Sequence, residues 1–214
     1  MTMRFRLLKK SIIENVLGPA EYGRFKTIGY QRQGIAGSEV QDNNRLVQLY
    51  FQEGDFSKAG GRQTGPTQHD ITFKIEATVS KASEGDIAAI LDSGSSAAKV
   101  ATALYNFQEA SALADESLDE LLDILYQTLM HGENLTLGLA ENTVSNRWIS
   151  GMTKDNPVPR GELVVMSGAI MLSCRVCEEL LGAEGVAGGT FEVDINNIGG
   201  DEEQKTEVAG NLGG

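Results

Sequence analysis

Residues 71 to 80 constrain the fold of this chain more than any other segment. Ile71, Phe73, Ile75, Ala77 and Val79 alternate with Thr72, Lys74, Glu76, Thr78 and Ser80. A β-strand sends successive side chains to opposite faces, so this spacing predicts a strand with one buried and one solvated face. A second segment, Leu163 to Val176, is apolar at both parities. Val164, Met166, Ile170, Leu172 and Val176 fall on one face, and Val165, Ala169, Met171 and Cys177 on the other. Such a strand belongs at the centre of a sheet, covered by helices or by another subunit. Leu46, Val47, Leu49, Tyr50 and Phe51 make a further β run just before the alternating one. Between the two lies GDFSKAGGRQTGP, residues 54 to 66, glycine-rich and without periodicity, which reads as a long loop. Strand, loop and strand predict an extended hairpin arm over about residues 45–80.

Helical spacing occupies the rest of the first two thirds. Leu7, Leu8, Ile12, Ile13, Val16 and Leu17 predict a helix over 4–17, stopped by Gly18-Pro19. A helical segment follows over about 84–131. Ile87, Ile90 and Leu91 open it, Gly94 with its neighbouring serines interrupts it, and Val100, Leu104 and Phe107 resume it. Leu118, Leu121, Leu122, Leu125 and Leu129 then form one stripe, with Ser117 and Glu120 matching a capping box and Gly132 a C-terminal stop. Ile28, Tyr30 and Ile35, Arg147 to Ile149, and Phe191, Val193 and Ile195 are shorter strand candidates, and Lys154 to Gly161 a proline-containing turn. The order helix, strands, helices, strands predicts an α+β fold. Its largely antiparallel sheet carries a long β-hairpin and packs against two or three helices. One domain is expected over 1–198, with an acidic, mobile tail over 199–214.

Composition narrows the function classes. The 214 residues are 41% apolar and 22% charged, as expected of a globular chain with a sizeable core. Eighteen Lys and Arg against 30 Asp and Glu leave a net charge of −12, which disfavours duplex binding, because phosphate neutralisation needs a basic footprint. No apolar stretch reaches the roughly 18 residues that span a bilayer, so no membrane contact is expected. The basic start MTMRFRLLKK runs into Glu14 and Asn15 and lacks the apolar core of a signal peptide. With only Cys174 and Cys177, no disulfide framework exists, and a cytosolic, reducing setting is expected.

No catalytic, cofactor-binding or metal-ligating residue emerges. His69 and His131 have no other His or Cys nearby and read as solvated imidazoles. Cys174 and Cys177 have the CxxC spacing, but they end an apolar strand rather than open a helix, and residues three apart on a strand face opposite ways. They read as small buried hydrophobes. The glycine-rich loop lacks GxxxxGK[ST] and leads into a strand, so it does not read as a phosphate cradle. The run from Asp194 lacks calcium ligands where Ile198 and Lys205 stand. What remains is the loop as a contact arm. Phe56 is its one large apolar side chain, and Asp55, Lys58 and Arg62 are its charges. A tip of this composition loses ordering entropy unless something binds it. Phe56 suits a neighbour's pocket and Arg62 a neighbour's carboxylate.

The element order resembles the tail-terminator proteins of long-tailed bacteriophages. The likeness runs over roughly residues 4–177: the opening helix, the hairpin RLVQLYFQEGDF and HDITFKIEATV, the helix SLDELLDILYQTL, then NRWISGMTK and GELVVMSGAIMLSCRV. The resemblance implies a non-enzymatic virion protein assembled in the host cytoplasm. It implies a homo-oligomeric ring, a hexamer, that caps the tail tube and joins it to the connector, with DNA passing through the lumen without sequence-specific binding. A tail-tube or other virion assembly subunit would share the hairpin and the ring assembly. A small cytosolic binding protein or enzyme is the remaining class, and it would need a pocket with perturbed carboxylates.

Overall fold

The computed structural model of the chain describes residues 4–21, 24–27, 44–58, 67–141 and 143–178. It begins with α1 (Arg4–Ser11), which runs on without a break into a π-helical stretch, Ile12–Leu17, and a last α turn, Gly18–Glu21. The expected stop at Gly18-Pro19 does not occur. The Gly18 amide donates to Ile13 O, the wide spacing of a π turn, which steps the hydrogen-bond ladder by one residue. Pro19 then falls in the first turn of a new α segment, where its missing N–H is tolerated.

Among the described residues, six strands form one sheet. They are β1 (Lys26–Thr27), β2 (Arg45–Lys58), β3 (Thr67–Ala82), β4 (Val144–Lys154), β5 (Val158–Arg160) and β6 (Leu163–Glu178). Their order is β1-β2-β3-β6-β4, with β5 also paired to β6. All pairings are antiparallel except β1 with β2. β3 and β6 stay in register from Thr67↔Glu178 to Ala82↔Leu163, so the two segments singled out by their apolar patterns are the central pair. The turn expected at Lys154 to Gly161 holds the short strand β5. The candidate strands at Ile28 to Ile35 and Phe191 to Ile195, the 198 boundary and the 199–214 tail lie outside the described residues.

One long helix, α2 (Ala97–Met130), closes one face of this sheet. At 1.5 Å per residue it is about 51 Å long. It starts after Ser96, whose side chain accepts from the Lys99 amide, and not at Ser117. Seven alanines between 97 and 114 carry the helix through what reads as a second start. The apparent capping box is engaged from the sheet instead. Arg45 Nε donates to Ser117 Oγ at 3.1 Å, and the same guanidinium pairs with Glu120. On the other margin Lys154 of β4 meets Asp115 and Asp119. The described chain therefore has two helices, the lower of the two numbers expected.

Beneath α2 the core is one cluster. Leu118, Leu121, Leu122, Leu125 and Leu129 meet Phe73, Ile75, Ile170 and Leu172, and Leu8, Ile12 and Val16 of the N-terminal helix join them. Gly168 lets the helix approach. A Cβ there would stand 2.9 Å from Thr153 O and 3.3 Å from a Leu122 methyl. On the second face of β6, Val165, Ser167 and Met171 are half-buried, and Thr78···Ser167 and Thr72···Ser173 hydroxyl pairs bind the strand laterally at 3.2 and 3.0 Å. Leu125 is fully buried at the centre of the helix stripe. Leu125→Ala is expected to cost about 2–5 kcal/mol in urea unfolding. A loss under about 0.5 kcal/mol, typical of a surface site, would contradict the packing of the stripe on the sheet.

Candidate functional site

The segment expected to be a loop is largely strand. β2 continues through Gly54, Asp55, Phe56 and Ser57 to Lys58, paired residue for residue with β3. What redirects it is a bulge. Phe51 faces Phe73 and Glu53 faces Thr72, so Gln52 is an extra residue on β2. Beyond the bulge the alternation is shifted by one. Gly54 and Phe56 lie on the helix side opposite Ile71 and His69, while Asp55 lies on the polar side opposite Asp70.

Phe56 is 55% exposed, yet it is held. Its ring stacks on the His69 imidazole, with centroids 3.8 Å apart and planes 19° apart. His69 is not a solvated imidazole. It is 1% exposed, beneath Phe56 and against Gly54. A Cβ at Gly54 would stand 2.4 Å from His69 Nε2, so only glycine leaves room for the ring. The aromatic row continues inward. Phe51, 38% exposed, lies 5.0 Å from the Phe5 ring of α1 and 6.4 Å, edge-on, from Phe73. His131, by contrast, is exposed and accepts from the Glu133 amide at the start of a 3-10 turn.

The opposite face at this end is ionic. Arg175 of β6 makes two hydrogen bonds to Asp70, each 2.8 Å. That guanidinium holds the Asp70 carboxyl below its usual range, against a smaller opposing effect of burial. Asp55 is an exposed second carboxylate across from it. Farther along, Tyr50 Oη donates to Glu76 at 2.9 Å, and Lys74 lies 4.0 Å from Glu76. Cys174, on the helix side of β6, is buried, and burial pushes its thiol up to about 12, so it is not a nucleophile at neutral pH. Among the described residues no three His, Cys, Asp or Glu are grouped to hold a metal ion.

Of the four contact residues read from the sequence, Phe56 and Asp55 therefore stand on opposite faces of a strand instead of on a loop. Lys58 is the last residue of β2, and Arg62 lies outside the described residues. The sequence reading missed His69, Gly54 and Arg175. The signal for the first was available, since His69 continues the parity of Ile71 and Phe73. Arg175 had no local mark, because its partner is 105 residues away. No family profile matches this chain, and no curated protein matches it.

Two outcomes follow from this geometry. Gly54→Ala is expected to lower stability by about 1–3 kcal/mol, the range for forcing extra volume into a packed site, read by urea unfolding. A neutral result would mean His69 has space to move. Asp70→Asn is expected to be less stable than the parent by under about 1 kcal/mol, as for exposed pairs. Because the folded Asp70 pKa lies below its unfolded value of about 3.9, this contribution is complete above that pH and fades as pH falls through the folded value. Stability measured from pH 7 to 2 should show the two proteins converging at the acid end, and parallel curves would refute the assignment.

Proposed function

We propose that this chain is a structural virion protein, a ring-forming tail-terminator or neck subunit of a long-tailed bacteriophage that caps the tail tube and joins it to the head. The observation that supports this reading is Phe56. An aromatic side chain, more than half exposed, is presented on a paired strand and clamped by a buried histidine. A side chain already held in one place loses little entropy on docking, and aromatic anchors of this kind dominate the energy of interfaces. On a closed ring each copy would offer this anchor to the next. The net charge of −12 fits a lumen through which DNA slides without binding, since like charge repels. The tail tube and connector are the axial partners in this reading, and assembly takes place in the host cytoplasm before incorporation into the virion.

The test is the mass of the purified full chain in solution, with negative-stain images of the same sample. Closed rings of uniform size are expected. Extended tubes would identify a tail-tube subunit instead, and a stable monomer at all concentrations would refute self-assembly. Phe56→Ala is expected to keep the parent's circular dichroism and to raise the concentration needed for assembly by about tenfold or more, as for a central aromatic contact. Unchanged assembly would remove Phe56 from the interface.

A further inference from the structure

We infer that the surface meeting this end of the hairpin in a neighbouring copy is the outer ridge of α2, held by charge pairing with α1; the inference rests on the self-assembly proposed above. The ridge is one continuous exposed stripe. Tyr105, Glu109, Leu113, Glu116, Glu120 and Asp123 step by four or three residues along α2, and every one of them is exposed. Tyr105 is 60% and Leu113 53% exposed, so the stripe is apolar as well as acidic. Among the described residues, its cations are Arg45 and Lys81 near Glu120. Glu120 is met by Arg45, but Glu109 and Asp123 are met by neutral donors, the Tyr105 hydroxyl and the Gln127 amide, each at 2.7 Å.

The complementary surface is on the same chain. α1, RFRLLKKS, has four cations and no carboxylate. Its outer side presents Arg6, Leu7 and Lys10, all exposed, and Lys10 lies 3.9 Å from Glu14. The Phe5 and Phe51 rings, 5.0 Å apart, fasten α1 over the helix side of β2, the side on which Phe56 stands. Basic helix and exposed aromatic thus form one patch, basic and apolar, and the α2 ridge a second patch, acidic and apolar. Pairing either patch with itself sets like charges together, which disfavours that contact. Pairing α1 of one copy with the α2 ridge of the next sets opposite charges together. The occupant of the ridge is therefore a second copy of this chain.

Charge reversal tests this. The full chain is prepared as the parent, as Glu109→Lys with Glu116→Lys, as Arg6→Glu with Lys10→Glu, and with all four changes together. All four positions are exposed, and circular dichroism and thermal melts establish that each protein folds. Each double variant is expected to need at least about tenfold more protein than the parent to assemble, from like charge facing like charge. The fourfold variant is expected to return to within a few-fold of the parent, because its charges are complementary again. Double variants that assemble like the parent, or a fourfold variant as weak as the doubles, would overturn the pairing while leaving self-assembly intact. A parent that is monomeric throughout would instead refute the self-assembly reading and this inference with it.

Discussion

A single contact, the leucine stripe of α2 against β3 and β6, is what the rest of the described structure depends on. An antiparallel sheet needs cover on one face only, and here one helix and the N-terminal segment supply it. Gly168 sets how closely α2 descends, and the two ion-paired margins, Arg45 with Ser117 and Glu120, and Lys154 with Asp115 and Asp119, set its rotation. These pairs are partly exposed and add little stability each. Their geometric effect is larger, because a helix turned about its axis by one residue would lose both.

The C-terminal end of α2 is tied by backbone acceptors. Arg147 of β4 donates to the carbonyls of His131 and Asn134 just beyond the helix, where unpaired carbonyls and the helix dipole both attract a cation. Partial burial lowers the Arg147 pKa. Ser11 Oγ donates to Leu137 O at 2.8 Å, and Leu137 and Gly138 both adopt positive φ. The turn after α2 is thereby fastened to the N-terminal helix, and the two helical pieces over the sheet become one layer.

Much of this was legible in the sequence, and the part that was not has a common cause. Alternation at Ile71 to Val79 and the doubly apolar run from Leu163 located the central strands, and the leucines at 118 to 129 located the helix face. The failures came where a distant side chain decides a local question. Ser117 and Glu120 have the spacing of a cap, but Arg45, on another element, engages both. Gly18-Pro19 has the composition of a stop, but a π turn absorbs it. The candidate contact site was half legible. Phe56 stood out as the one large apolar side chain in a polar run, whereas its support by His69 and Gly54 arises from cross-strand pairing that glycine-rich composition concealed.

The extra residue at Gln52 acts on β2 as a frameshift acts on a reading frame. Before it, odd-numbered side chains face the helices; after it, even-numbered ones do. Without that shift Glu53 and Asp55 would fall on the apolar side and Phe56 on the ionic one. Changes of length in β2 beyond the bulge are therefore sorted by parity. Removing or adding two residues between the bulge and Phe56 keeps the aromatic and the acid on their own faces. A change of one exchanges them, and no substitution elsewhere on the strand restores the order. Lineages of this protein should tolerate even steps there and purge odd ones.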